Sequence, residues 1–501
     1  MEKSNTKLPS PSISLIPIIV LVTMVGLTIT LFGSDALEGG NQVSLFVATG
    51  VCVTLSMTIY KTSWKEFERS ISQTIGQAGA SIIILIIIGM MSGSWMISGV
   101  VPTLIYYGIQ IMSPQFFLMT SCVICAFVSV VTGSSWTTVA TIGIALIGIG
   151  NALSIPPAWT AGAIISGSYF GDKISPLSDT TILASSVSGT NLFTHIRYML
   201  FTTTPSITIT LVLFLAAGFW YRGEDVHIAE YTICLSDKFN ISLWTLGVPV
   251  ITAALIAKKV PSLITLFVSS LSAGVCALIL QRHILLEIVG TTDENILNLI
   301  KGLMMTWYGP TNITTPNATI NELIATGGMA GMMNTIWLIL CAMCFGGVMT
   351  ASRMMESLTN VIIRCIRGTF SLVASTVSTG ILLNLTTCDQ YISIIVSTNM
   401  YKRLYRERGF APELLSRTAE DSATVTSVLI PWNTCGMTQS TVLGVSTIEY
   451  LPFCFFNYIS PLMSCAVAAL NWKIRRINTE MQNADEDGQT QLVKLTTDDI
   501  Q

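Results

Sequence analysis

Residues 171–181, Gly-Asp-Lys-Ile-Ser-Pro-Leu-Ser-Asp-Thr-Thr, put two carboxylates, an ammonium and a helix breaker inside sequence that otherwise reads as membrane span. An Asp at the centre of a spanning helix costs roughly 3 kcal/mol on insertion scales, so Asp172 and Asp179 around Lys173 are expected to face a protein-lined cavity, not lipid. The two acids stand seven residues apart and would share a helix face. Pro176, however, lacks the N–H that would bond the Asp172 carbonyl, and its ring clashes there. The stretch therefore predicts a broken helix. Such breaks are tolerated at membrane depth only where they are buried or line a water-filled cavity, and they form ion sites in secondary transporters. The competing reading is a cytoplasmic loop in which Ser178 caps the next helix.

Composition supports the membrane reading. Of 501 residues 51% are hydrophobic and 11% charged, against about 25% charged in soluble domains. A net charge of -3 gives no reason to expect a nucleic-acid partner. Most of the twelve Cys lie in apolar runs and read as packing residues, not a disulfide framework. His195, His227 and His283 are scattered, and the Cys341-x-x-Cys344 spacing has no second pair, so no metal or redox cofactor is expected. The run Ile13 to Phe32 lacks a following small-residue cleavage site and reads as a retained helix.

Spans two and three read as Gln42 to Tyr60 and Ile82 to Gly108. Asp35 and Glu38 precede the second span and Lys61, Lys65 and Arg69 follow it, which puts the N-terminus and residues 61–80 on the cytoplasmic side. Trp64, Phe67, Ile71 and Ile75 recur at helical spacing and suggest an amphipathic helix on the membrane surface. Residues 116–150 form two apolar arms of about fifteen residues around Thr132 to Thr138, each short for a span of about twenty. They read as a re-entrant hairpin, or else as two ordinary helices with hydroxyl residues packed between them. The crossing from Trp159 through the Asp172 break leads to Arg197, and Met199 to Trp220 returns to an acidic connection with Glu224, Asp225, Glu230 and Asp237.

The plan then repeats. Leu243 to Ala257 and Pro261 to Leu280 cross, a long external segment spans 281–328, and Met329 to Thr350 returns. Residues 369–400 make a second hairpin tipped by Thr386 to Gln390, followed by Lys402, Arg403, Arg406 and Arg408. A second polar-interrupted crossing runs from Glu420 to Gly436, and a last span covers Leu451 to Leu470. Each half has five crossings, an odd number, so the second copy must be inverted. The expectation is an all-α polytopic membrane protein with about ten crossings plus two re-entrant hairpins in two inverted repeats. Its parts are a cytoplasmic tail at 1–12, repeats at 13–240 and 241–470, and a cytoplasmic, disordered tail at 471–501.

Four separated segments are more specific: GSYFGDKISPLSDTT at 167–181, LFTHIRYML at 192–200, DQYISIIV at 389–396 and SRTAEDSATVTSVLIPWNTCG at 416–436. Together they resemble the signature segments of the NhaC-type sodium/proton antiporters, and the similarity runs from about residue 13 to 470. The resemblance implies a secondary antiporter of the bacterial inner membrane, carrying sodium and protons as transported ions, with membrane lipid as its surroundings. Similar members exchange malate and lactate or carry amino acids, so a coupled organic-solute exchanger is the alternative. Homologous folds are often dimeric, and a homodimer is an open expectation.

A sodium/proton exchanger needs a partly desolvated carboxylate that takes either cation, completed by hard oxygen ligands. Asp172, Asp179, Asp389 and Asp421 are the expected ion and proton ligands and the expected sodium site. Ser134, Ser135, Thr137, Ser178, Thr180, Thr387, Ser422, Thr424, Asn433 and Thr434 are candidate supporting oxygens. Lys173 and Glu420 are candidate charge partners, against the readings that Lys173 snorkels to the interface and that Thr418-x-x-Asp421 is a capping box. Asp389 shows no cap pattern. No Arg falls within a span, which weighs against bidentate recognition of an organic carboxylate. No His lies in an apolar run and no H-E-x-x-H motif occurs, so an intramembrane enzyme is disfavoured.

Overall fold

A chain this apolar has no water available within the hydrocarbon and must satisfy its backbone groups inside each segment. It does so with helices almost throughout; among the described residues the only extended pairing is one antiparallel bridge, Phe410 with Arg476. The structure, a computed structural model, describes residues 8–32, 39–220, 228–311, 313–315, 320–321 and 324–477. Asp35, Glu38, Glu224, Asp225, His227 and the tail beyond 477 lie outside that set. Among the described residues nine helices are long and apolar enough to cross a membrane, or eleven if two bent helix pairs each count as a span.

Helices α1 (Pro11–Phe32) and α2 (Gly40–Ile59) pack together. The amphipathic α3 (Trp64–Gln77) turns its stripe onto protein: Phe67 is fully buried, and the Ser70 hydroxyl donates to the Gly347 carbonyl at 2.8 Å. The expected span at 82–108 is two helices, α4 (Gly79–Ile97) and α5 (Val100–Ile111), parted at Gly99, whose φ of +80° is left-handed. The arms of the first hairpin are longer than expected. They are α6 (Pro114–Thr132, 19 residues) and α7 (Ser135–Ala152, 18 residues, with a π-helical turn over Val139–Gly143), because the tip takes up only Gly133 and Ser134.

Next come α8 (Pro157–Ile174), α9 (Asp179–Ser188) and α10 (Leu192–Trp220). Gly167 and Gly171 are one turn apart, and a Cβ on either would run into the carbonyls of Cys122 or Ala126 on α6. This is the small-residue packing that lets membrane helices approach closely. It locks the break after α8 beside the tip after α6.

The expected crossing at 243–257 is a 3-10 turn followed by the eleven-residue α12 (Gly247–Ala257), which meets α11 (Ile228–Lys238) at 86°. After α13 (Ser262–Leu280), the expected external segment proves to hold α14 (Arg282–Val289) and α15 (Ile296–Tyr308). Their Leu285, Leu286, Leu299 and Leu303 join the main core, because both helices are amphipathic and have an apolar face to bury. The chain continues through α16 (Met333–Ala351), α17 (Met354–Arg364), α18 (Thr369–Thr387), α19 (Gln390–Glu407), α20 (Pro412–Ala419) with its π-helical turn Glu420–Thr424, and α21 (Thr434–Leu443). The last expected span is bent by 55° before α22 (Phe455–Ala469). Residues 471–477, expected in a disordered tail, fold back: Ala411 N–H donates to Arg475 O at 3.2 Å and Ile477 N–H to Gly409 O at 3.0 Å.

The region from 113 to 192 recurs 255 residues later, as 388 follows 133. Helices α6 and α18 both have 19 residues, Gly133 and Cys388 both have left-handed φ (68° and 60°), and Ser134 and Asp389 are both N-caps. Both α8 and α20 begin at a proline, α9 and α21 both have ten residues, and Gly189 and Gly444 both end them with positive φ. Hydrogen bonds recur as well. Thr132 meets Thr138 at 3.2 Å as Thr387 meets Ser393 at 3.0 Å, and Ser129 donates to Ser168 O at 2.6 Å as Asn384 donates to Ala423 O at 2.7 Å.

Candidate functional site

Gly133 turns the chain at the end of α6, and Ser134 caps α7 by accepting from Thr137 N–H at 3.2 Å. This aims Ser135 at α8. Asp172 Oδ2 accepts from the Ser135 N–H at 3.0 Å and from its hydroxyl at 2.7 Å. Two residues later α8 stops, and carbonyls freed by the break are taken up locally: Ser175 N–H donates to Asp172 O at 3.2 Å, and the Thr181 hydroxyl to Lys173 O at 3.0 Å. Ser178 caps α9, so the helix is both broken and capped, a feature that both sequence readings of the stretch share.

A cavity of about 720 Å³ opens at this junction. Asp172, Asp179, Ser134, Thr137, Ser178 and Thr180 line it, with Trp136, and Gln390 and Tyr391 from the second tip. Asp172 is only 6% exposed, whereas Asp179, in the first turn of α9, is open. Ser135 acts from behind, through Asp172.

The other expected ligands lie elsewhere. Asp389 does have a cap role, which the sequence reading missed: its Oδ1 accepts from Tyr391 N–H and Ile392 N–H at 2.9 and 3.1 Å, and its Oδ2 from the Thr434 hydroxyl at 3.2 Å. The signal was an Asp directly before a helical run. Thr387 braces the same tip, and Asn433 caps α21 through Cys435 N–H at 3.1 Å.

A third group is a buried charge cluster. Lys173 Nζ forms an ion pair with Asp421 Oδ1, joining the break of the first half to the π-helical turn of the second, and is 2.9 Å from Ser460 Oγ. The hydroxyls of Ser460 and Thr202 donate to the same Asp421 oxygen at 3.1 and 3.3 Å. Lys173 is fully buried, so it does not snorkel. Thr418 is not a cap either; its hydroxyl donates back to Leu414 O at 2.7 Å inside α20. Ser422 likewise donates to Thr418 O at 2.7 Å, while Glu420 and Thr424 point side-chain oxygens into the protein without a hydrogen-bond partner among the described residues. Arg417, which the sequence reading placed outside the spans, is fully buried with Nε 3.9 Å from Asp421 Oδ2. Its i,i+4 spacing to Asp421 was the available signal. Of the four expected sodium carboxylates, two line the cavity. Asp172 and Asp179 share the cavity, Asp389 is committed to a helix cap, and Asp421 to Lys173.

The model of the Na+/H+ antiporter family matches residues 3–186 and 167–472. The chain is 35% identical to the Na(+)/H(+) antiporter NhaC of Bacillus subtilis, over 81% of this chain and 87% of the relative. It is 36% identical to the NhaC antiporter of Alkalihalophilus pseudofirmus, covering 81% and 85%. It is also 32% identical to the malate-2H(+)/Na(+)-lactate antiporter of Bacillus subtilis, covering 88% and 92%. With both tips and both breaks inside these matches, the chain belongs to the Na+/H+ antiporter family of membrane transporters.

Proposed function

We propose that this protein exchanges sodium for protons across the bacterial inner membrane, with Asp172 as the carboxylate that holds one cation or the other. The observation that carries this reading is the contact of Ser135 with Asp172 at the cavity wall. Both donors of Ser135 bind one carboxylate oxygen from the protein side, while the hydroxyls of Ser134, Thr137, Ser178 and Thr180 line the cavity around it. Hard oxygen ligands of this kind suit sodium. Asp179, at the positive end of α9, adds a second carboxylate where the helix dipole favours it. Lys173 follows Asp172 directly, so its pairing with Asp421 carries any movement of the break into the second half. The family match and the two NhaC relatives support the same reading. Both termini lie in the cytoplasm and the two copies have opposite orientations. The basic residues Lys61, Lys65 and Arg69 after α2, and Lys402, Arg403 and Arg406 near the end of α19, support that topology.

The size of the cavity favours a second reading. About 720 Å³ is in the range of small-molecule sites, roughly 300–1,000 Å³, and one relative is named for malate and lactate exchange. A small organic acid would then be the cargo and the same carboxylates would hold the coupling ion.

Purified protein in vesicles with an imposed pH gradient tests both. Sodium alone should dissipate the gradient, and Asp172→Asn should abolish the response. Persistence of sodium-driven flux in Asp172→Asn would sink the assignment of Asp172. A response only once malate or lactate is added would move the function to the second reading.

A further inference from the structure

We propose that Arg417 is the alternate ion partner of Asp421, a positioning residue that takes this carboxylate over when Lys173 releases it during the transport cycle. Arg417 lies one turn before Asp421 and is fully buried, with Nε 3.9 Å from Asp421 Oδ2. None of its three nitrogens has a hydrogen-bond partner among the described residues, and neither has that Oδ2. Every bond to Asp421 arrives on the other oxygen, from Lys173, Ser460 and Thr202. Asp421 thus stands between two cations from different halves of the chain, one fully engaged and one in reach.

A guanidinium has five donors, and burying them unpaired is costly. The groups facing Arg417 explain why it is held there. Its Cζ sits 4.5 Å from the Tyr198 ring centroid, and the same ring carries Arg475 at 5.2 Å. The anion within ion-pair reach is Asp421; Glu420, next to it in the chain, has both carboxylate oxygens buried without a partner. The π-helical turn Glu420–Thr424 interrupts the regular helical ladder at this point, a local irregularity often found at functional sites. Exchange of Lys173 for Arg417 keeps the Asp421 carboxylate paired in both states, so this anion is never left buried alone. The ammonium it releases belongs to the residue that follows Asp172 in the chain, and a cation arrives and leaves at Asp172 on the antiport reading.

Two measurements test the exchange. The first needs no transported ion: melting of the purified protein in detergent, with Arg417→Gln made in the native chain and again in Lys173→Met. In the native chain the shift should be small. In Lys173→Met it should be several degrees larger, because Arg417 is then the remaining cation on Asp421. Equal shifts in both backgrounds overturn the proposal. The second is sodium-driven proton flux, which rests on the antiport reading and decides the matter if Lys173→Met does not fold. Arg417→Gln should lower maximal flux by about tenfold, one decade for about 1.4 kcal/mol of support to the state in which Arg417 holds Asp421, with the half-saturating sodium concentration unchanged and Arg417→Lys restoring most of the rate. A changed half-saturation at unchanged maximal flux overturns the positioning role. Native protein without sodium-driven flux would end the antiport reading, and the melting comparison would still decide the exchange.

Discussion

Asp172 and Asp389 are both buried acids beside a hairpin tip, yet their bonds differ in kind. Asp389 uses both oxygens to hold the start of α19 and Thr434, whereas Asp172 receives its two bonds from Ser135 at a cavity wall. Asn is as good an N-cap as Asp. Asp389→Asn should therefore fold and keep most of its sodium-driven flux, while Asp172→Asn should lose it; vesicle assays of the two purified variants check the contrast. Ser135→Ala removes a hydrogen bond to a charged group, worth about 1.5–3 kcal/mol. On the antiport reading it should raise the half-saturating sodium concentration by about tenfold, since about 1.4 kcal/mol is one decade. An unchanged sodium dependence would show that Ser135 does not tune the site. Asp172 was legible in the sequence because a charge inside an apolar run is too costly to stand there without a site to serve. Arg417 was not, because it follows a basic stretch at 402–408 that reads as cytoplasmic, and only packing shows it to be enclosed.

At the scale of elements, the two tips make a controlled comparison. Gly133 and Cys388 hold the same left-handed turn, at φ 68° and 60°. An L residue pays roughly 1–2 kcal/mol for that conformation. Cys388→Gly relieves that cost but empties a fully buried core position, so the two effects offset and the melting temperature should change little. Gly133→Ala should lower it by several degrees, because its Cβ would also come within 2.6 Å of the Leu177 Cβ. Melting curves of both variants check the pair, and equal effects would mean that the tips are not equivalent. Element types were easily read, since long apolar runs in a membrane must be helical. Boundaries and roles were less so. The segment at 281–328 has helices with one apolar face, and hydropathy alone cannot tell whether such a face meets lipid, water or protein.

Across the whole molecule, the recurrence of 113–192 at 368–447 makes the connection after Lys258, between α12 and α13, a place to test the expected division into two repeats, close to the boundary at 240 expected from the sequence. A chain divided there, as 1–258 and 259–501, should reassemble on co-expression, because α16 of the second fragment packs on α2 and α3 of the first. Copurification of the fragments with restored flux is the expected result, and two fragments that never copurify would count against the division. The order of residues alone makes the protein helical, commits it to a membrane and keeps its chemistry at two polar breaks, because charges and prolines in apolar runs are costly wherever they stand. Which acids share a space depends on the tertiary arrangement instead. Asp172 meets Ser135 across 37 residues and Lys173 meets Asp421 across 248. A cap has a local signal, as Asp389 before its helical run shows, but nothing local distinguishes an Asp that lines a cavity from one that holds a lysine, because these differ only in what the rest of the fold brings within reach.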